Sequence, residues 1–279
     1  MDSLAQTIEI RELTTNSELE KVQNLEKIVW NMHPIPLHQT LTACQNGGLV
    51  LGAFINNELV SFSYSFSGFK NGKSYLCSHM LGTHPDFQGK GIGAKLKEAQ
   101  RQKAMEMGYE LITWTYDPLE SRNAYLNLSK LQAICATYVE NCYGDMIDDL
   151  NHGLPTDRFK IEWWINSPHV IENNVIVATE ETSLFQVELT DKRLPKLFPV
   201  KPVLETVVKE NKEQLLVPVP VIFQQIKKED FDLAVDWRIK TREIFLTLFA
   251  SGYAVCALKK GLDGIVHHYI LVKKDFLKL

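Results

Sequence analysis

The stretch THPDFQGKGIGAKLKEAQ, residues 83–100, places three glycines within five positions, from Gly89 to Gly93, directly before a segment with helical periodicity. Glycine lets the backbone approach a ligand closely, and the free N–H groups at the start of a helix carry the positive end of its dipole. This loop therefore predicts an anion-binding site, with Lys90 as a counter-charge. The alternative is a glycine-rich turn that only tightens the packing of a strand against a helix.

Two other phosphate-binding motifs are excluded by their spacing. A Walker loop needs a Gly-Lys pair four residues after its first glycine, followed by Ser or Thr, and here a glycine follows Lys90. A dinucleotide-binding fingerprint needs G-x-G-x-x-G after the first strand of its unit. The sequence has G-x-G-x-G, and the strand before it is about the fourth.

Composition and charge exclude several classes of partner. The chain has 279 residues, 45% hydrophobic, with 30 basic and 34 acidic side chains. No basic face is indicated, which predicts no nucleic-acid partner. Residues 1–10 lack a targeting pattern and no apolar run is long enough to span a membrane, which predicts no membrane association and a cytoplasmic location. The five cysteines form no CxxC pair, which predicts no metal site and no disulfide framework.

The hydrophobic periodicity predicts an α/β fold with a mixed sheet flanked by helices. Over residues 7–165 the predicted order is strand, helix, helix, three strands, helix, strand, helix and two strands. A helix is expected near 16–30, with Asn16 or Ser17 as its cap, and a hairpin is expected to turn at residues 56–57. Residues 215–274 repeat the order strand, helix, strand, strand of residues 110–165, which is typical of a partial internal duplication. We predict two domains, 1–166 and 167–279.

The same loop resembles a known family, the GCN5-related N-acetyltransferases (GNAT). Their signature [QR]-x-x-G-x-[GA] is matched by Gln88, Gly91 and Gly93, and MLGTHPDFQGKGIGAKL resembles the whole strand, loop and helix around it. The predicted element order agrees with the GNAT fold. DPLESRNAYLNLSKL, TDRFKIEWW and DWRIKTREIF are similar to a poorly characterised bacterial branch with a C-terminal extension, here an α/β extension.

The resemblance implies acetyl-CoA or coenzyme A as cofactor. In the family, backbone N–H groups of the loop hold the pyrophosphate, which implies that role for Gln88, Gly89, Lys90, Gly91, Ile92 and Gly93. The preceding strand pairs with the pantetheine arm and polarises the thioester carbonyl, which implies that role for Leu81, Gly82 and Thr83. The helix after the next strand commonly offers an asparagine to the cofactor, and Asn123 or Asn127 is the candidate.

The catalytic residues depart from the family pattern. Where some members have a catalytic glutamate, this chain has Cys77, and His79 is the candidate base because it faces the same side of the strand. The alternative is a histidine with a packing role. Where many members have a tyrosine as acid, the chain has Leu128, with Tyr125 one turn earlier as the candidate.

Two further groups of charged residues have alternative interpretations. Arg238 and Arg242 fall on the apolar stripe of a predicted C-terminal helix, where they could bind a substrate carboxylate or form internal ion pairs. Asp145, Asp148 and Asp149 could attract a cationic amine or could be solvated turn residues.

Taken together, the sequence predicts an acyltransferase that moves an acetyl group from acetyl-CoA to an amine of a small molecule by direct attack. The alternative is a coenzyme A-binding regulatory module without turnover. The acceptor and the acyl length are left open, and so is whether the C-terminal extension completes the pocket or builds a homodimer interface.

Overall fold

Residues 7–146, 151–172, 176–178 and 183–279 are described by the computed structural model, and the chain forms two units. The first unit is Met1–Trp114 with Trp164–Asn166, and the second is Thr115–Trp163 with Ser167–Leu279. These units do not coincide with the predicted domains, 1–166 and 167–279, so that division stays a prediction. Each unit is built on a mostly antiparallel sheet with helices against it, which confirms the predicted fold class.

The first unit contains the glycine loop and the strands on either side of it. Its elements are β1 (Glu9–Glu12), α1 (Asn16–Trp30), α2 (Leu37–Gln45), β2 (Leu49–Ile55), β3 (Glu58–Lys70), β4 (Lys73–Thr83), α3 (Ile92–Glu106) and β5 (Leu111–Tyr116), whose last two residues belong to the second unit. The sheet order is β1-β2-β3-β4-β5. All neighbours are antiparallel except β4 and β5, which are parallel because α3 crosses between them.

Local rules explain how the first elements begin and turn. Helix α1 starts with a capping box in which the Thr15 hydroxyl accepts from the Glu18 N–H and the Glu18 carboxylate accepts from the Thr15 N–H. The predicted caps, Asn16 and Ser17, are therefore wrong, because the capping side chain lies one residue earlier. The hairpin between β2 and β3 turns at Asn56 and Asn57, with φ of 51° and 64°, as predicted.

The core of the first unit lies between the sheet and helices α1 and α2. Helix α1 buries one face because apolar residues recur at helical spacing along it. The buried members of this core are Leu13, Leu19, Val22, Leu25, Val50, Phe54, Phe62 and Tyr64. This packing leaves the other face of the sheet for α3.

The second unit combines a central antiparallel sheet with a small hairpin. Its helices and strands are α4 (Ser121–Ala124), a π-helical segment (Tyr125–Lys130), β6 (Ile134–Val139), β7 (Arg158–Trp164), α5 (Pro168–Ile171), β8 (Val187–Leu189), β9 (Pro195–Leu197), α6 (Lys201–Glu210), β10 (Gln214–Pro220), α7 (Phe223–Glu229), α8 (Phe231–Ala250), β11 (Tyr253–Lys259) and β12 (Val266–Lys273). The sheet order is β7-β6-β11-β12-β10, and β8 pairs with β9. Aromatic rings of α8 pack on this sheet, with the Phe159 and Phe245 centroids 4.6 Å apart.

Two sequence predictions for the second unit differ from the structure. The helix expected over 119–132 is only four residues of α-helix followed by the π-helical segment. The strand expected over 174–180 is not found at 176–178, and its other residues lie outside the described part of the chain. None of the helices that the structure describes has the length and apolar character to cross a membrane.

Candidate active site

The glycine loop adopts a backbone that only glycine adopts readily. Gly89 and Gly91 have φ of 77° and 76°, in the left-handed region. Gly91 is the N-cap of α3, and a Cβ built on it meets no atom within 4 Å, so the loop is open around this position. The helix begins at Ile92, within one residue of the predicted start.

The loop has the donors that a pyrophosphate requires. The first turn of α3, residues 92–94, has N–H groups that an α-helix cannot pair, and Gly91 offers no side-chain cap for them. Lys90 is exposed beside them, with its amino group 4.6 Å from the Phe87 ring centroid. The residues present therefore fit a doubly anionic group, and Gln88, whose side-chain amide donates to the Thr83 carbonyl at 3.3 Å, fixes the start of the loop.

The three predicted cofactor residues of β4 form the end of the strand that leads into the loop. Leu81, Gly82 and Thr83 pair with residues of β3 on one edge. A Cβ on Gly82 would lie 2.8 Å from Phe62 and 2.9 Å from Trp30, so glycine is needed here for packing. Sequence analysis connected Gly82 only with the cofactor and missed this role.

The other edge of β4 is paired with β5 for a short distance. The parallel register joins Leu76 to Ile112 and Cys77 to Thr113. Within the described part of the first unit, no strand pairs with this edge of β4 beyond Cys77. Residues 78–83 therefore present backbone N–H and C=O groups that an extended ligand can pair with, apart from the Thr83 carbonyl, which accepts from Gln88. This edge ends at the glycine loop.

His79 lies at an irregularity of β4. Tyr64 and Ser65 of β3 pair with Met80 and Ser78, so His79 is the additional residue of a β-bulge. Its ring lies 6.0 Å from that of Tyr64 and 5.7 Å from that of Phe66. The residue is exposed, yet the desolvation of its imidazole lowers its pKa below the usual 6.5, which favours the neutral form at neutral pH. This is compatible with the predicted base, which stays a prediction.

A polar cluster on the opposite face of β4 was not found by sequence analysis. Lys97 of α3 is 3% exposed, and its amino group donates to Ser78 Oγ at 2.7 Å and to Gln100 Oε1 at 3.1 Å. Gln100 in turn donates to Ser65 Oγ at 2.7 Å. In the sequence Lys97 is one of several helix lysines, and only the helix phase relative to buried Leu96 could have indicated that it faces inward.

The remaining predicted cofactor and acid residues lie in the second unit. Asn123 is exposed on α4, and Asn127 is buried in the π-helical segment. The Tyr125 ring lies 4.0 Å from the Lys260 amino group, and Leu128 is fully buried. Their roles toward coenzyme A stay predictions.

The two predicted substrate-binding arginines hold carboxylates of the protein itself. Arg238 donates from both terminal nitrogens to Asp117, and Arg242 donates to Asp157 at 2.8 and 2.9 Å. Burial opposes ionisation of Asp157, but the hydrogen bonds from Arg242, the Asn141 N–H and Tyr138 together outweigh it and lower the carboxyl pKa. The structure thus shows the internal ion pairs, and a substrate carboxylate here stays a prediction that would require a pair to open.

The acidic loop of the second unit is only partly described. Asp145 is exposed, while Asp148 and Asp149 lie outside the described residues. Attraction of a cationic amine by this loop therefore stays untested.

A helix N-terminus with unpaired N–H groups, reached from a strand with an unpaired edge, is an arrangement that fits an extended ligand with an anionic end. Residues 14–127 match the family model described as Acetyltransferase (GNAT) family, so this part of the chain is a domain of that family. The predicted family is thereby confirmed, and with it acetyl-CoA or coenzyme A as the cofactor of the domain.

Several solved acetyltransferases match the chain at low sequence identity. The ribosomal-protein-S18-alanine N-acetyltransferase of Escherichia coli is 14% identical, with a TM-score of 0.48 over 63% of this chain and 99% of that chain. The yncA acetyltransferase of Salmonella typhimurium, solved with acetyl-CoA, is 15% identical, with a TM-score of 0.48 over 57% and 94%. A GNAT family acetyltransferase of Elizabethkingia anophelis with acetyl-CoA bound is 19% identical, with a TM-score of 0.45 over 56% and 97%. No curated protein matches the sequence.

Proposed function

We propose that the chain is an acetyl-CoA-dependent N-acetyltransferase that acetylates an amine of a small molecule in the cytoplasm. The observation that carries this proposal is the continuity of two features of the first unit. The unpaired edge of β4, residues 78–83, leads directly to the open N-terminus of α3. The strand edge fits the extended arm of coenzyme A, and the helix N-terminus fits its pyrophosphate.

In this proposal each part of the site has one task. The N–H groups of residues 92–94 and Lys90 bind the pyrophosphate, and the backbone of Leu81–Thr83 orients the arm and the thioester. His79, neutral because its pKa is lowered, accepts a proton from the incoming amine. The amine nitrogen then attacks the thioester carbonyl carbon directly, and the carbon–sulfur bond breaks.

A second candidate function is a coenzyme A-binding regulatory module. Two observations favour it: Cys77 stands where some family members have a catalytic glutamate, and buried Leu128 stands where many have a tyrosine. Such a module would keep the loop and bind the cofactor without releasing its thiol. The two functions therefore make the same prediction for binding and opposite predictions for turnover.

The test combines calorimetric titration with coenzyme A and a thiol-release assay with acetyl-CoA and a panel of small amines. Gly91→Val places a side chain at the helix N-terminus, and we expect it to weaken coenzyme A binding at least tenfold. Gly108→Val is the matched control, because Gly108 follows the other end of α3 with φ of 84° and open space around its Cβ position. Both variants carry the same kind of backbone strain, and only one is at the loop.

Binding with amine-dependent thiol release supports the transferase, and binding without release from any amine supports the module. Equal coenzyme A affinity of Gly91→Val and Gly108→Val would refute the loop assignment. The predicted homodimer is tested separately, by measuring the oligomeric state of the same sample by sedimentation.

A further inference from the structure

Lys97 is a buried basic side chain held by neutral groups. Its amino group contacts Ser78 Oγ and Gln100 Oε1, and lies 3.8 Å from the ring centroid of Trp114. No carboxylate among the described residues forms an ion pair with it. A buried lysine ordinarily has an acidic partner, since an unpaired charge is costly to bury. This placement therefore calls for a role that an apolar side chain would not provide.

The amino group lies where β4 and β5 separate. Within the first unit, Cys77 and Thr113 are the last paired residues, and the next residues along the two strands are Ser78 and Trp114. Lys97 contacts both of these residues. It therefore stands at the inner end of the unpaired edge of β4, opposite to the end that meets the glycine loop.

The length of this edge matches the cofactor. Residues 78–83 are five steps of a strand, or about 17 Å. An extended pantetheine arm has a comparable length. If the pyrophosphate lies at the loop and the arm follows the strand, the sulfur end reaches the Lys97 end of the edge.

The surroundings of Lys97 suit a group that gives up and regains a proton. An ammonium has three N–H donors, and the described residues accept two of them. Gln100 is held by its bonds to Ser65 and Ser78, so its carbonyl oxygen stays directed at Lys97. Burial lowers the pKa of Lys97 to about 7, against a smaller opposite effect of the Cys77 thiol.

We propose that Lys97 is the proton donor to the sulfur of the departing coenzyme A, an inference that rests on the proposed acetyltransferase function. When the acceptor nitrogen bonds to the carbonyl carbon, the carbon–sulfur bond breaks and its electron pair goes to sulfur. The Lys97 ammonium gives that sulfur a proton, which leaves a neutral thiol and a neutral amine. The proton lost by the acceptor nitrogen returns to Lys97 through the base and solvent. Lys97 thus supplies the acid that the leucine at position 128 cannot supply.

The first test observes Lys97 directly by NMR of protein labelled with carbon-13 at lysine Cε, with the resonance assigned by its loss in Lys97→Met. Coenzyme A is expected to raise the titration midpoint of Lys97 by about 1 pH unit, because a thiolate beside an ammonium favours the protonated amine. A fragment with adenosine and pyrophosphate but no pantetheine arm should leave the midpoint unchanged. A bound coenzyme A that does not raise the midpoint overturns the proposal, and absence of binding overturns the proposed function instead.

The second test compares kinetics of Lys97→Met with Lys95→Met, an exposed lysine on the same helix. Lys97→Met is expected to lower kcat at least 100-fold, with KM for acetyl-CoA within threefold, while Lys95→Met matches the wild type. In the wild type, kcat should fall above pH 7 as Lys97 loses its proton. This fall should be absent in Lys97→Met. A wild-type kcat in Lys97→Met overturns the proposal. If that variant does not fold, the resonance is assigned by its loss in the conservative variant Lys97→Arg, and the NMR titration of the wild type decides.

Discussion

Arg238 of α8 and Asp117, 121 residues apart in the chain, form a two-pronged ion pair in the second unit, with Nη1 donating to Oδ1 at 2.9 Å. The Arg238 side chain is 2% exposed and that of Asp117 is 12% exposed. Burial works against the charge of Arg238, but the Asp117 carboxylate raises its pKa, so the guanidinium stays charged.

We expect Arg238→Met to lower the free energy of unfolding by about 3–5 kcal/mol, because among the described residues it leaves the Asp117 carboxylate with the more distant Arg158, at 3.8 Å, as its cationic partner. Urea unfolding followed by fluorescence measures this change. The exposed Arg122 provides the control, Arg122→Met, which should cost less than 1 kcal/mol. Equal unfolding midpoints of the two variants would show that the pair is not structural.

Gly82→Ala tests whether the glycine before the loop serves packing. The added Cβ would lie within 2.9 Å of the rings of Phe62 and Trp30, and overpacking of this kind costs about 1–3 kcal/mol. Thermal unfolding should show the loss, while the dissociation constant of coenzyme A should stay within threefold. A tenfold weaker cofactor affinity in a variant of normal stability would instead indicate close contact with the cofactor.

The pH dependence of turnover tests His79. Since desolvation lowers its pKa below 6.5, the imidazole is neutral above that pH, and the fall of kcat/KM on the acid side should lie at the lowered pKa. His79→Gln should lower kcat/KM about 100-fold or more and remove this fall. His38→Gln, at an exposed position of α2, is the control and should keep the wild-type profile. An unchanged acid limb in His79→Gln would exclude His79 as the base.

The free energy of unfolding should depend on pH because Lys97 is buried. Its pKa is about 7 in the folded state, against 10.5 as the usual value, so between these pH values the unfolded chain binds one more proton. The free energy of unfolding should therefore rise with pH in that window, by up to about 1.4 kcal/mol per unit, and the contribution is lost as the pH falls through 7. Urea unfolding of wild type and Lys97→Met at several pH values measures the difference. A constant difference across the window would contradict the lowered pKa.

The features that the sequence predicted well depend on neighbouring residues. The loop and the start of α3 follow from closely spaced glycines, because positive φ and unpaired N–H groups are local properties. The turn at Asn56–Asn57 follows from the same kind of rule. The cap of α1 was misplaced by one or two residues, since Thr15, Asn16 and Ser17 can all cap a helix and the hydrogen bonds between Thr15 and Glu18 decide among them.

By itself, the sequence determined the anion-binding loop, the family of the domain at 14–127 and the order of most elements, because each is encoded in short-range spacing. Only the tertiary structure decided the partners of the buried charges. Lys97 meets Ser78 across the sheet, and Arg238 and Arg242 meet Asp117 and Asp157 from distant parts of the chain. These pairings depend on which helix face is turned toward which strand. Hydrophobic packing sets that orientation over the whole unit, and no local pattern specifies it.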